Sequence, residues 1–290
     1  MAKRISVSQL KSKMRQAQQK ARNAVNNYNR AVREYNTKVN RAISSYNSAV
    51  RKHNATVRHN RQIIQHELNK LNAGYHIETH STFVSSVKVV QTHYNAVASR
   101  YSEGVEVSDK QDRILDLVEQ ENARTLRTAN KILDDDFSIA DDEDANIEIE
   151  NKLAVVSNDL MNRWKGAIFS LNPQNPDAAR HFCTSTRELF TDFIELKAPD
   201  QDVFTYNPNA QKTERGNATR KEKIKYMMRN FHFDDCVVDF ANADIENILE
   251  LFHLLSDATH GEAGRYAFDK LLAVKKRVEQ GINFLCEISA

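Results

Sequence analysis

The sequence predicts an all-α protein: a long basic N-terminal helix, coiled-coil-like in pattern, followed by a C-terminal helical bundle. Three observations carry the prediction. The 290 residues contain only seven Gly and four Pro, so turn formers are scarce. Apolar positions recur at spacings of three and four along most of the chain. No stretch shows the sustained alternation of a half-buried strand.

The charge is unevenly placed. The net charge is +2, yet residues 1–70 hold 16 Lys/Arg against two acids, Glu34 and Glu67. The remainder holds 25 Lys/Arg against 37 Asp/Glu. A basic arm thus precedes an acidic body. This suggests a polyanionic partner for the arm, docking of arm on body, or both. Three cysteines, Cys183, Cys236 and Cys286, lie far apart without a CxxC pair. That argues against a disulfide framework or a thiolate metal site and fits a reducing cytoplasm. No apolar run is long enough for a bilayer, and the N-terminus lacks a signal-type apolar region. The expected locale is the cytoplasm, with no membrane partner.

Three regions are expected: an arm at 1–73, a helical middle with an acidic linker at 74–146, and a bundle at 147–290. In the arm, Val25, Tyr28, Val32, Tyr35, Val39, Ala42, Tyr46, Ala49, His53 and Val57 form a heptad-like seam. With no Gly or Pro before Gly74, it reads as one helix of around 65 residues, about 100 Å long at 1.5 Å per residue. Tyr-Asn and His-Asn pairs recur beside the seam. Arg30, Arg33, Arg41, Arg51, Lys52 and Arg58, interleaved with Tyr, His and Asn, suit phosphate contacts and base stacking. The competing reading is a basic coiled coil that grips a partner or a second copy, or merely spaces domains.

In the middle, residues 77–101 fit one helix through Phe83, Val84, Val87, Val90, Tyr94 and Val97. A second helix follows an N-cap at Ser108 or Asp109, with Ile114, Leu115, Val118 and Leu126 on its apolar side. The acidic run between Asp134 and Glu150 reads first as a solvated linker. A mimic of nucleic acid laid on the arm, or a divalent-metal site, are the alternatives, the metal being disfavoured because a run does not converge. The bundle is read as helices over 147–171, 177–197, 219–230, 235–260 and 265–287. A Pro176/Asp177 start opens the second, and a polar loop at 198–218 offers Thr213, Arg215, Asn217 or Thr219 as caps for the third.

Chemistry concentrates at 247–266, NILELFHLLSDATHGEAGRY, where an apolar helix turns abruptly polar. Asp257, His260, Glu262 and Arg265 fall together around Gly261. Positioned acid, base and cation groups suit phosphodiester cleavage or phosphate binding. A helix C-cap at Gly261 with His260 at the negative end of the dipole is the structural alternative. On the earlier helix, Arg180, Thr184, Arg187 and Glu188 share a flank. Arg187 is the candidate phosphate stabiliser for His260, with Asp257 or Glu262 orienting the His. The alternative for Arg187 is an ion pair with Glu188, Asp192 or Asp257. Arg180 and Arg265 are further nucleic-acid candidates.

The STRE of 185–188 together with the SDATHG of 256–261 resembles the HEPN superfamily. More narrowly, YNRAVREYN, YNSAVRKHN and the tail SDATHGEAGRY…VKKRVEQGINFL resemble the bacterial proteins called predicted pPIWI-associating nucleases, over nearly the whole chain. The HEPN resemblance covers the last 140 or so residues. It implies a helical, commonly dimeric bundle, metal-independent cleavage of RNA rather than DNA, no cofactor, and a role in anti-phage defence with a partner protein. Active HEPN members place an Arg shortly before the His. Here Leu254, Leu255 and Ser256 stand before His260, and Arg229 lies too close to His232. The Arg must then come from elsewhere, and a non-catalytic assembly module stays open.

Overall fold

In a computed structural model, the described residues are 6–73, 81–102, 105–133, 149–172, 174–257 and 268–289. The side chains of residues 256, 257, 268 and 269 are outside that description. Ten helices and no strands occur among the described residues. The all-α expectation holds. The chain divides into two units, Met1–Arg58 and His59–Ala290.

The first helix, α1, runs Val7–Ala73. Its sequence contains no Gly or Pro, and several side chains along the first unit bond to their own helix. Arg30 pairs with Glu34 at 3.0 Å, while Arg51 and Arg58 donate to the carbonyls of Asn47 and Asn54 four residues back. The seam residues Val25, Tyr28, Val32, Tyr35, Val39 and Tyr46 are all solvent-exposed. At about 100° per residue, Arg30, Arg33, Arg41, Arg51 and Lys52 project from the opposite side, and Arg58 lies on a flank. The first unit therefore has an apolar face and a cationic face.

In the second unit, the end of α1 buries Ile64 and Leu71. Asn130 donates to the carbonyl and the carboxylate of Glu67, and Arg61 pairs with Glu119 at 3.1 Å. Helix α2, Ser81–Arg100, buries Phe83, Val87, Val90 and Val97. Helix α3, Asp109–Leu133, opens with a reciprocal cap: Gln111 N–H donates to Ser108 Oγ, and Ser108 N–H donates to Gln111 Oε1. The acidic run falls on 134–148, outside the described residues apart from Glu150.

The single helix expected over 147–171 is two helices, α4 at Ile149–Val156 and α5 at Asn158–Ser170. The break is at Ser157, which adopts extended backbone and accepts a hydrogen bond from Asp159 N–H. A serine that caps satisfies a backbone donor better than one continuing the helix, a choice the apolar periodicity hides. Helix α6 spans Ala178–Lys197 and α7 spans Asp200–Tyr206, the latter inside the segment read as loop. Gly216, at φ +85°, makes the turn that follows, and Thr219 caps α8, Arg220–Met227. Helices α9, Asp235–Asp257, and α10, Phe268–Ile288, complete the order.

Helix α9 is the central element: α2, α6, α8, α3 and α10 all pack on it. Edge-on aromatic pairs lock neighbours together, Trp164–Phe182 between α5 and α6, Phe190–Phe252 between α6 and α9, and Phe240–Phe284 between α9 and α10. Gly281 of α10 lets the backbone approach closely, because a Cβ there would sit 2.5 Å from Ile248 and 3.1 Å from Phe190. Beneath the apolar layer lies a charged one. Arg277 of α10 is 1% exposed; its Nη1 donates to Glu121 Oε2 at 2.7 Å, and its Nη2 donates to Asp244 and to Thr125 Oγ1. Arg124 adds a bond to Glu121 Oε1 at 2.6 Å.

Gly281→Ala is expected to cost about 1–3 kcal/mol through overpacking, read as a lower urea midpoint with unchanged helicity. Arg277→Ala strands Glu121 and Asp244 in the interior and is expected to cost about 3–5 kcal/mol. A loss below about 1 kcal/mol in the same titration would refute that account of the buried layer.

Candidate functional site

Arg187 sits on α6 one turn after Cys183, whose thiol is pushed up to about 12 by burial, with Arg187 pulling weakly the other way. Among the described residues, Arg187 forms neither of the ion pairs considered within its own helix. Glu188 and Asp192 instead hold Arg163 of α5 at 2.9 and 3.2 Å. The Arg187 Nε is enclosed by protein and has no hydrogen-bond partner among the described residues. An unmet buried donor of this kind costs about 1–3 kcal/mol. His260, Glu262 and Arg265 lie outside the described residues, as does the side chain of Asp257.

A cavity of about 500 Å³ opens between α2, α9 and the start of α8. One face of α9 supplies Glu246, Glu250 and His253, spaced by four and three residues; α8 supplies Arg220, and α2 supplies Thr82, Ser85 and Ser86. Arg220 Nη1 reaches Glu246 Oε1 at 3.4 Å, and burial disfavours the charged guanidinium. Asn247 donates to Ser86 Oγ at 2.8 Å and fixes the α2 wall. The cavity joins a cation, an imidazole and two carboxylates, groups able to hold a phosphate and move a proton. The sequence reading passed over it because Arg220 and His253 are 33 residues apart in the chain. The run Glu246, Glu250, His253 on one helical face was the available signal.

Other candidates are engaged locally. Arg180 is bonded to Asp177 at the start of its own helix. Arg229 lies 3.9 Å over the Tyr226 ring and donates to the Tyr226 carbonyl, while His232 stands exposed with a left-handed backbone at φ +54°. In the arm, Arg33, Arg41 and Lys52 are exposed, as are Arg30, Arg51 and Arg58. No helix among the described residues is long and apolar enough to cross a membrane.

Arg187, Arg220 and His253 all fall in α6–α9, within one stretch that compares with known proteins. Residues 153–285 match the family of predicted pPIWI-associating nucleases. The narrower resemblance read from the sequence is borne out over this segment. No curated protein and no solved structure matches the chain. The matched segment contains α5 to α9 and most of α10, and one wall of the 500 Å³ cavity comes from α2, which lies outside the match.

The start of α8 is held by a buried cation. Lys223, with a side chain 4% exposed, bonds Glu195 at 2.6 Å and Asp200 at 2.9 Å. The Lys223 ammonium, helped by the Ala218 N–H, holds the Asp200 carboxyl below its ordinary value of 3.8. A depressed folded pKa stabilises the native state above the unfolded value, and this is lost as pH falls through the folded one. Asp200→Asn is therefore expected to melt lower at neutral pH. The gap from wild type should close as pH falls below 3.8, measured by melting across pH.

Proposed function

We propose that the chain is a nuclease whose bundle cleaves RNA without a metal, using Arg187 and His260, in a bacterial anti-phage defence system. The observation that carries the proposal is the enclosed Arg187 Nε, without a partner among the described residues, in a segment matching a family described as nucleases. His260 takes the proton from a ribose 2′-hydroxyl, and O2′ attacks phosphorus. Arg187 balances the charge that gathers on the phosphorane oxygens. The P–O5′ bond breaks, O5′ takes the proton from His260, and a 2′,3′-cyclic phosphate and a 5′-hydroxyl result. Asp257 or Glu262 orients the His260 ring. The family description supports a pPIWI protein as a partner, and the cationic face of the arm supports nucleic acid as its ligand.

A second reading has its own observation. The exposed Val/Tyr seam of the first unit suits a partner helix, so the protein acts as an assembly module of a defence complex. Salt separates the two: phosphate contacts weaken steeply with ionic strength, whereas association through an apolar seam does not.

The test is cleavage of end-labelled single-stranded RNA and DNA in EDTA. Wild type is compared with His260→Ala and Arg187→Ala, and with His253→Ala and Arg220→Ala from the α2/α9 cavity. RNA cutting by wild type is expected to fall about 100-fold or more in the first pair only. Loss confined to the second pair would move the chemistry to the cavity and overturn the Arg187/His260 assignment. No cutting by wild type, with salt-insensitive self-association, would favour the assembly module.

A further inference from the structure

We propose that the groove between α3 and α10 is a second anion site, holding a phosphate of a bound nucleic-acid strand. Helix α3 sends Arg124, Arg127, Thr128 and Lys131 into it, and α10 sends Lys276, Arg277 and Gln280. Among the described lining side chains, five are cationic and none is a carboxylate. Both helices achieve this with the same device, spacings of three and four that lay one stripe along the groove. The groove is small, about 60 Å³, with room for a phosphate group.

Arg277 is the second, independent observation. It is 1% exposed, it lines the groove, and its Nε has no hydrogen-bond partner among the described residues. Its charge is met from the inner side by Glu121 and Asp244, so it stays in place as a fixed donor. Arg127 and Lys276 are half-buried nearer the surface, and Lys131 is exposed. A rigid buried guanidinium beneath a rim of longer cations is a preorganised phosphate cradle. The groove shares no lining residue with the α2/α9 cavity. Naming nucleic acid as the source of the phosphate rests on the nuclease reading; the anion chemistry of the groove does not.

The experiment is fluorescence anisotropy of the full chain with a labelled single-stranded RNA in EDTA, between about 50 and 200 mM salt. Arg127→Gln/Lys131→Gln/Lys276→Gln is compared with wild type and with Arg51→Gln/Arg58→Gln in the arm. The groove variant is expected to bind about 10-fold or more weakly at low salt, with the log–log salt slope reduced by about 2. Lys131→Gln alone, at an exposed site that leaves folding untouched, is expected to reduce the slope by about 0.7. An affinity and slope equal to wild type in both groove variants, with the dependence carried by the arm variant, would overturn the proposal. Absence of RNA binding by wild type would do the same. Wild type that binds through the groove without cutting would leave the site standing and remove the nuclease reading. Cutting with groove-independent binding would do the reverse.

Discussion

The second unit depends on a charge held where water cannot reach it. Arg277, Glu121 and Asp244 come from α10, α3 and α9, and each is essentially unexposed. Burying any one alone would cost several kcal/mol, so each must find the other two. Burial favours the neutral acid at Glu121, while Asp244 and Glu121 hold Arg277 charged. A one-residue slip of α10 would rotate Arg277 by about 100° and leave both carboxylates unmatched. The apolar layer above tolerates such slips more easily, because Leu, Val and Ile replace one another at small cost. The triad therefore fixes register, and the Gly281 contact with Ile248 and Phe190 sets how closely α10 approaches.

That register also places the chemistry. Helix α9 turns Asp244 inward to Arg277, and two residues later Glu246 lines the cavity opposite. In the same way Arg277 faces the triad on one side and the cationic groove on the other. Structural and candidate functional groups alternate along the same two helices. A packing change at either helix therefore moves an electrostatic surface as well.

The fold was readable where physics is local. The long arm helix followed from the absence of Gly and Pro and a steady apolar step, and α2, α3, α6, α9 and α10 followed from the same periodicity. The break at Ser157 was not readable, since Leu153, Leu160 and Trp164 keep helical spacing across it. The short α7 hides in a polar, Pro-flanked segment. The site was harder because its elements meet only in three dimensions. Arg220 and His253 become neighbours by packing of α8 on α9, and Arg124 and Arg277 by packing of α3 on α10. Arg187 was singled out from sequence, but its unmet Nε depends on Glu188 and Asp192 turning to Arg163, a choice between equivalent cations that spacing does not decide.

The first unit separates Val and Tyr on one side of a helix from Arg on the other. Ligands of the two faces would not compete for the same atoms, so occupation of one leaves the other sterically open. A protein strand laid on the aromatic side would also bring its own charge within a Debye length, about 8–10 Å, of the guanidinium side. An acidic strand would weaken, and a basic one strengthen, the pull on a polyanion across the helix. With both faces occupied the arm would act as a coupler, in which the identity of one guest tunes the grip on the other.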